Sequence, residues 1–518
     1  MSAVILVEVD LTSPEGQAHT LRFADRAVRP FGPNDSLRPN TAWDDRLIEP
    51  PSLRRDLFED LASLSPGIGL GVMTLANADG GLDAYRGHSW GGVRVWRWEA
   101  GSDFATAVPV FAGEATAPTM GVSSSAPSRA RIALYDARIE LDRAANPETY
   151  AGTNGEAGVL YEGAADGLKG RAKPLALGDL RDAHLPAPQV NAGARVYQLH
   201  DGLAAGSEQI FDRGGAAGYA DQGDLAGGAF DAALPAAASY VTDLSRGLLK
   251  LNGDPVGTVT FGLKGDAEGG YVETAGLVLA RLLARAGVAA ERIGESIAGL
   301  AHDAVVGIWA NDGVRTSDAA AAIARSVPAA LLPDRLGVWQ AILFGPPAAA
   351  ETFAIEADQV VALAGDEAAP LPVAEARVGW GRIYTTFSRG DLAPVLRDTA
   401  TEAALAEEHR WATASDAELK ARRPSTWRKL EVTTALRQEA AAQALADQLL
   451  VLFGLRPDGQ PRQQYRVTLQ LDADVLAVPL GATVRLVYPP RGIDERFVLI
   501  GEELFRPGRD RVVWTLWG

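Results

Sequence analysis

The stretch that decides the fold runs from Gly71 to Asp83 and has the sequence GVMTLANADGGLD. After the first glycine, one set of alternate side chains is Val, Thr and Ala and the other is Met, Leu and Asn, which is typical of a β-strand. Asp79, Gly80 and Gly81 then favour the positive φ angles of a tight turn, so the sequence predicts a hairpin here. A second alternating segment follows at Gly92 to Trp98.

Short strand-like segments also fill the chain on both sides of this stretch. The opening MSAVILVEVDL alternates as a strand does, and residues 100–250 contain short β-like runs separated by Gly, Pro, Asn and Asp. Four more alternating runs lie near the C-terminal end: Val467 to Leu471, Val484 to Tyr488, Phe497 to Leu499 and Val512 to Leu516. Strands linked by short turns predict a small barrel or sandwich there.

Helical periodicity is confined to a few segments. Ser52 is a suitable N-cap for a leucine-rich helix that would end before Pro66 and Gly67. The other predicted helices are Glu273 to Ala286, Thr316 to Ser326 and Thr434 to Phe453. No alternation of strand and helix carries a phosphate-binding glycine loop, which disfavours a Rossmann or P-loop domain. The predicted fold class is mainly β with α+β parts: a multi-domain chain of small β-barrel or sandwich domains with inserted helical segments.

The length of 518 residues and the hydrophobic fraction of 47% indicate a globular protein with several domains. We expect a β-rich domain over 1–100, a β-rich and loop-rich domain over 101–250, an α+β domain over 251–365, and a helix followed by a β-barrel-like domain over 366–518. The chain contains no cysteine. A disulfide scaffold, a cysteine-bound metal or iron–sulfur cluster and a cysteine nucleophile are therefore excluded.

The charge balance is strongly acidic, with 49 Lys and Arg against 66 Asp and Glu and a formal net charge of −17. Affinity for nucleic acid comes mostly from basic groups, so general binding of phosphate backbones or anionic membranes is disfavoured, while a local basic patch stays compatible with the sequence. The first residues lack the features of a signal peptide, and no run approaches the ~18 apolar residues of a membrane helix. We therefore expect a soluble protein without membrane insertion by this chain.

One motif suggests hydrolase chemistry. Residues Gly87 to Gly91, GHSWG, match the nucleophile-elbow pattern G-x-S-x-G, with Ser89 in the place of the nucleophile. That chemistry needs a sharp turn from a strand into a helix, whereas the segment after Gly91 alternates like a strand. The alternative interpretation is that Gly87 to Gly91 form an ordinary loop between two strands.

Metal and carboxylate motifs are weak in this sequence. The run Glu407-Glu408-His409 lacks the second histidine of a zinc-binding helix, and a solvated helix face explains it. Asp79 to Asp83 and Asp221 to Asp224 do not fit the spacing of a calcium-binding EF-hand loop. Carboxylate pairs are too common in so acidic a chain to indicate a glycosidase. No catalytic residue, metal or cofactor is predicted.

Trp96 and Trp98 are the candidate contact residues. They lie two positions apart on a predicted strand and so project from one face. Exposed tryptophans can stack on sugar rings, which makes a host-glycan contact one hypothesis. The alternative is that a neighbouring strand or subunit covers them, because aromatic side chains dominate cores and interfaces.

The order of short motifs along the chain resembles that of a known family. The run from Gly71 to Asp83 is similar to the hairpin G-x-hydrophobic-x-L-x-N-x-D-G-x-L-D near the start of tail tip or baseplate hub proteins of siphophages, prophages and gene transfer agents. Further elements follow in the family's order: Val93 to Trp98, Phe111-Ala112-Gly113, Leu134-Tyr135-Asp136, Leu168-Lys169-Gly170-Arg171, Val196-Tyr197-Gln198, Pro489-Pro490-Arg491-Gly492 and Leu516-Trp517-Gly518. The absence of cysteine departs from those relatives that carry an iron–sulfur centre.

The resemblance implies a structural virion protein at the tail tip or baseplate. Such hubs are homotrimers that close the tail tube and connect it to tip, fibre or spike proteins. Each chain contributes two related β-barrel domains to a pseudo-sixfold ring. The implied partners are further copies of this chain, distal tail and tube proteins, and tip, fibre or spike proteins. DNA is implied only as cargo, and no catalytic residue or cofactor comes with the resemblance.

Three hypotheses follow. The first is the tail hub, in which we expect acidic side chains to line the channel, because repulsion keeps DNA mobile. The second is a tail-tip module that binds host glycans through Trp96 and Trp98. The third is a surface hydrolase that uses Ser89 or a pair of carboxylates.

Overall fold

The structure is a computed structural model that describes residues 3–36, 38–61, 63–123, 126–156, 158–300, 303–365, 371–506, 508 and 510–518. Strands account for 40% of the chain and helices for 17%, which confirms the mainly β, multi-domain fold class. Contacts divide the chain into two units: unit 1 is Met1–Glu140, Ala330–Leu371 and Leu455–Gly518, and unit 2 is Leu141–Ala329 and Pro372–Gly454. The division into four domains stays a prediction, and its boundary at 366 lies outside the described residues.

The strands are β1 Ala3–Thr12, β2 Ala18–Ala24, β3 Leu47–Asp56, β4 Leu70–Ala76, β5 Ser89–Glu99, β6 Val108–Ala115, β7 Thr119–Ser123, β8 Ala126–Asp136, β9 Leu175–Gly178, β10 Gln189–Asn191, β11 Val196–Gln198, β12 Ala204–Asp212, β13 Gly215–Ala216, β14 Ala220–Asp224, β15 Ser239–Asp243, β16 Leu248–Asn252, β17 Val259–Asp266, β18 Gly307–Ala310, β19 Ala329–Pro333, β20 Trp339–Leu343, β21 Phe353–Ile355, β22 Val360–Gly365, β23 Val373–Trp380, β24 Arg410–Ser415, β25 Arg428–Thr433, β26 Gln464–Gln470, β27 Thr483–Tyr488, β28 Ile493–Leu504 and β29 Arg511–Trp517. The α-helices are α1 Gly228–Ala232, α2 Ala275–Arg285, α3 Glu295–Ala298, α4 Thr316–Arg325, α5 Ala400–Ala406, α6 Ala417–Arg422, α7 Glu439–Phe453 and α8 Ala473–Ala477.

The N-terminal strands of unit 1 form a sheet that curls back on itself. Its order is β2-β1-β5-β6-β8-β4-β3, with β7 paired to β8. The residues just before β3 contact both β2, at one end of this order, and β4, next to the other end: the Asp44 amide donates to the Arg22 carbonyl at 3.1 Å, and the Ala76 amide donates to the Arg46 carbonyl at 2.7 Å. The curl is therefore closed through residues 44–46, and we call this part the N-terminal barrel.

The C-terminal strands of unit 1 form a second curl. The order is β21-β27-β28-β29-β26-β22. Only residues 356–359 separate β21 from β22, although these two strands lie at opposite ends of the order. The six strands must therefore curl so that their ends approach each other. This arrangement, called the C-terminal barrel below, confirms the predicted run of strands near the C-terminal end.

One long strand connects the two barrels of unit 1. The first half of β28, Ile493 to Val498, pairs with β27 inside the C-terminal barrel. Its second half, Gly501 to Leu504, pairs antiparallel with residues 53–56 of β3 in the N-terminal barrel. The two barrels thus share one continuous sheet, and we call the β3–β28 pairing the junction.

Two predicted elements are wrong. The segment that starts at Ser52 is strand β3 instead of a helix, because pairing with β4 on one side and β28 on the other outweighs the helical spacing of its leucines. The hairpin at Asp79 to Gly81 is also wrong, since β4 pairs with β3 and β8 while β5 pairs with β1 and β6. The turn is present, but the Leu82 amide donates to the Asn77 side chain at 2.9 Å and directs the chain into a short 3-10 helix at Asp83–Tyr85.

Unit 2 is built from several small sheets with helices beside them. Its sheets have the orders β10-β11-β16-β15-β14, β13-β12-β17, β18-β9 and β24-β23-β25. Helix α2 packs against α3 and α4, and α7 packs against β23 and β24. The predicted helices at 273–286 and 316–326 are confirmed, while the third begins at Glu439 because Thr434 donates to the Gly379 carbonyl at 2.7 Å instead of starting a helix. Among the described residues, no helix has the length and apolar character needed to cross a membrane.

Candidate functional site

Trp96 and Trp98 share one face of β5 in the N-terminal barrel, as predicted. Trp98 is only 4% exposed, and its Nε1 donates to the Ser102 carbonyl at 3.2 Å. Trp96 is half-buried, with its ring centroid 5.8 Å from that of Phe104. Both rings belong to a cluster with Trp43, which the loop between β2 and β3 places over the sheet. Packing therefore accounts for Trp98, and the glycan or interface contact stays a prediction that depends on the exposed part of Trp96.

A buried carboxylate lies on the same face as these tryptophans. Glu8 on β1 is 1% exposed and accepts hydrogen bonds from Arg22 and Arg38, each at 2.9 Å, while Arg94 lies 3.6 Å away. Arg94 also pairs with Asp10 at 2.9 Å. Because Arg38 belongs to the loop that carries Trp43, its ion pair with Glu8 holds this loop against the sheet. The sequence did not indicate it, since the partners of Glu8 lie 14 to 86 positions away along the chain.

Ser89 is the first residue of β5 and pairs with Thr12 of β1. The turn before it leads into a strand, so the strand-to-helix elbow that would activate a serine nucleophile is not formed at this position. The ring of the adjacent His88 lies 5.4 Å from the ring of Tyr85 and 5.6 Å from that of His19. The motif therefore occupies the beginning of an ordinary strand.

The carboxylates of the two loops considered for calcium already have partners. Asp79 accepts two hydrogen bonds from Arg46, at 2.6 and 2.8 Å, and these hold the pKa of Asp79 well below its usual range. Asp224 accepts from the Leu244 amide at 2.8 Å. Glu408 pairs with Arg382 at 2.6 Å. Within the described ranges, no group of three or more His, Asp or Glu side chains is arranged to hold a metal ion.

The junction carries a second buried charge cluster of unit 1. Glu502 on β28 is 2% exposed and pairs with Arg55 of β3 at 3.0 Å and with Arg335 at 2.5 Å. Arg55 also donates to the Pro333 carbonyl at 2.5 Å. Burial lowers the pKa of the Arg55 guanidinium, because desolvation disfavours its charge. The carboxylate thus joins β3, β28 and the segment after β19 at one point.

A second buried ion pair lies in the N-terminal barrel, near this cluster. Arg138 and Asp136 pair at 2.6 Å, and Asp136 also accepts from the Gly69 amide at 3.0 Å. Arg138 donates to the Asp56 carbonyl at 3.1 Å, at the end of β3. Burial raises the pKa of the Asp56 carboxyl. The carboxylates of Glu502 and Asp136 are both compensated by arginine, so these ion pairs hold the strands that carry them in position.

Unit 2 contains a buried charged cluster of its own around Asp266. This carboxylate is 1% exposed and pairs with Arg281 and with Arg285, whose Nε lies 2.7 Å from Oδ2. The Ala176 amide donates to His200 Nδ1 at 3.1 Å, which places the ring proton on Nε2, 3.7 Å from Asp266. Burial lowers the pKa of His200 to about 4. His200 is therefore neutral in the folded protein near neutral pH.

The comparisons with known proteins concern the fold. No protein-family model matches the sequence, and no curated protein matches it. Three solved structures are similar to it: the tail protein from Neisseria meningitidis MC58, the 43 kDa tail protein of prophage MuSo2 from Shewanella oneidensis, and a prophage tail protein from Listeria monocytogenes EGD-e.

All three alignments span nearly the whole chain at low identity. The Neisseria structure has a TM-score of 0.42 and 12% identity, covering 99% of this chain and 96% of its own. The Shewanella structure has a TM-score of 0.37 and 8% identity, with coverages of 98% and 97%. The Listeria structure has a TM-score of 0.30 and 8% identity, with coverages of 100% and 94%.

Proposed function

We propose that this chain is a structural protein of a phage or prophage tail, and within the tail its homotrimeric hub at the tip or baseplate. The tail role named for the three solved structures belongs to those proteins. For this chain, one observation carries the proposal: strands from the two ends of a single chain form two barrels that are joined in one sheet at the junction. The order of motifs that resembles tail hubs supports the same conclusion.

The pair of barrels fits the geometry that a hub requires. Three copies of a two-barrel chain supply six barrels, which is the number needed to continue a sixfold tube with a threefold protein. A ring of this kind is stable only if the two barrels of one chain keep a fixed spacing. The buried Arg55–Glu502 pair supports such a fixed spacing, because Arg55 of β3 keeps its carboxylate partner only while β3 and β28 stay paired.

In this role the chain closes the end of the tail tube and connects the tube to tip, fibre or spike proteins. Its partners are two further copies of itself, the tube or distal tail proteins above it and the tip proteins below it. DNA passes through the ring as cargo. The chain acts in assembly, and the buried charge clusters described above hold its strands together.

The oligomeric mass tests this proposal most directly. We expect purified protein, or protein released from tails, to have three times the 54.5 kDa mass of one chain by native mass spectrometry. Class averages from electron microscopy should show a ring with six barrel densities and threefold symmetry. A protein that stays monomeric at micromolar concentrations in the presence of its tube protein, or a ring with another number of barrels, would contradict the hub.

A further inference from the structure

A basic patch stands out on unit 2 of this acidic chain. Residues 417–431, with the sequence AELKARRPSTWRKLE, contain five Lys or Arg and two Glu, whereas the whole chain has 49 basic and 66 acidic residues. The segment includes α6, the turn after it and the first part of β25. We define the basic patch by its members Arg377, Lys420, Arg422, Arg423 and Lys429.

The cations of the basic patch outnumber the carboxylates around them. Glu375 is shared by Lys420 at 2.6 Å and Lys429 at 3.8 Å. Glu431 is shared by Lys429 and by Arg377, each at 2.6 Å. Glu375 of β23 and Glu431 of β25 are therefore each shared between two cations of the patch, and neither is paired with Arg422 or Arg423.

Two arginines lie together at the end of α6, of which Arg422 is exposed and Arg423 is partly buried. The Arg422 side chain is 68% exposed and has Glu418, one turn earlier, as its partner. Among the described residues, no carboxylate oxygen lies within 4.0 Å of the guanidinium of Arg423. This pair presents positive charge to solvent, where a polyanion can reach it.

Aromatic side chains lie between the cations of the basic patch. The Lys420 ammonium lies 5.0 Å from the ring centre of Trp427, and the Arg377 guanidinium lies 4.6 Å from that of Trp411. Both tryptophans are half-buried, so they are fixed by the fold and hold the cations in place. Clustered Lys and Arg on one face are the electrostatic footprint of a surface that contacts nucleic acid.

We propose that the basic patch binds the phosphate backbone of duplex DNA. The choice of DNA among polyanions rests on the proposed tail function, in which DNA passes this protein. The overall charge of −17 repels DNA at a distance, so the contact is short-ranged and sensitive to salt. It is also independent of sequence, because arginine and lysine contacts to phosphates carry no base information. A contact of this kind slows or aligns DNA locally without retaining it.

Fluorescence anisotropy with a fluorescein-labelled 25-base-pair duplex at low salt tests the proposal on the full chain. We expect saturable binding by the wild type and a loss of affinity of about tenfold or more in R422E/R423E, with a salt slope shallower by about 2 because two phosphate contacts are lost. The milder R422Q/R423Q should weaken binding by a smaller factor. Circular dichroism verifies that both variants are folded.

The matched control is R129E/R131E, which reverses two exposed arginines on β8 of unit 1. We expect the affinity of this variant to stay within about twofold of the wild type, since it leaves the basic patch intact. No binding by the wild type, or equal losses in the two reversed variants, would overturn the proposal. Binding of poly-glutamate as tight as that of the duplex would overturn it in favour of an acidic protein partner.

The mass of the same samples separates this inference from the proposed function. A trimer that does not bind DNA leaves the hub intact and removes the basic patch as a DNA contact. A monomer that binds DNA through Arg422 and Arg423 keeps the patch and contradicts the hub.

Discussion

At the scale of single residues, the buried carboxylates inside the sheets depend strongly on their arginine partners. Glu8, Glu502 and Asp266 are each no more than 2% exposed, and each is compensated by at least two arginines. Removing one partner of such a cluster leaves a charge that cannot return to water, whereas breaking an exposed pair costs little. Removing one charge should therefore cost much more stability in a buried cluster than in an exposed ion pair.

Glu502→Gln should destabilise unit 1, because it leaves Arg55 and Arg335 buried without their carboxylate. We expect the free energy of unfolding to fall by about 3–5 kcal/mol, measured by denaturant titration. Asp494→Asn is the matched control in the same barrel: its pair with Arg485 at 2.7 Å is exposed, so this substitution should leave the denaturation midpoint almost unchanged. Equal effects of the two substitutions would show that Glu502 does not hold the junction.

His200 should make unit 2 sensitive to acid. Burial lowers the pKa of His200 to about 4, from an ordinary 6.5. Between pH 6.5 and pH 4, His200 takes up a proton in the unfolded chain but not in the folded chain. The free energy of unfolding therefore falls as the pH drops from 6.5 to 4, and it levels off below pH 4. The loss is about 3 kcal/mol for one histidine.

Unfolding measured between pH 7 and pH 4 tests this expectation. His200→Gln should show a shallower decline over that interval than the wild type. Burial also lowers the pKa of His184 to about 4, so the double substitution should flatten the profile further. His19→Gln, at the protein surface, serves as the control, and a His200→Gln profile that matches it would contradict the assignment.

At the scale of elements, close approach between strands explains a motif that the sequence only suggested by resemblance. Gly113 ends the Phe111-Ala112-Gly113 run, where β6 meets β8. A Cβ atom on Gly113 would lie 2.1 Å from the backbone oxygen of Tyr135 and 2.8 Å from the Phe111 ring. Only glycine lets the two strands pair at this point and continue the curl of the N-terminal barrel.

Gly113→Ala should therefore force β6 and β8 apart. We expect a loss of stability of about 2–3 kcal/mol, measured as a shift of the denaturation midpoint. Gly121→Ala is the matched control on neighbouring β7, because the nearest atom to its Cβ, the Arg129 oxygen, would be 3.7 Å away. The control should change stability by less than about 0.5 kcal/mol. Similar losses in both variants would contradict the assignment, because only Gly113 lies in close contact with a neighbouring strand.

Elements with a clear period could be predicted from the sequence, and elements that depend on distant partners could not. The alternation of β26 to β29 and the apolar stripe of α2 are local properties of the chain. The segment after Ser52 has helical spacing, but two neighbouring strands make it β3. The junction cluster could not be predicted at all, since Arg55 and Glu502 are 447 positions apart and no local pattern connects them.

At the scale of the whole molecule, the chain combines an acidic balance with one basic patch. These features suit different tasks in the proposed ring. A wall of acidic side chains repels the phosphate backbone and keeps DNA mobile, while a local group of arginines contacts it briefly. In this proposal the net charge of −17 is an average over an acidic channel wall and the basic patch.

The charge of the channel wall is the prediction that belongs to this scale. We expect the surface that lines the channel of the assembled ring to be net negative, because a basic wall would hold the DNA that must pass. A reconstruction of the ring at side-chain resolution would identify the lining residues and their charges. A wall in which Lys and Arg predominate would contradict the prediction.

The strand shared by the two barrels also determines when the protein can finish folding. Residues 53–56 are synthesised before unit 2, but their partners, residues 501–504, are synthesised only after it. Unit 1 therefore stays incomplete while the whole of unit 2 is made, and pairing over so long a separation makes its closure a late and slow step. A chain that stops before β28 has neither a junction nor a finished C-terminal barrel. If the proposed ring forms, its assembly is therefore restricted to chains that have been synthesised through β28.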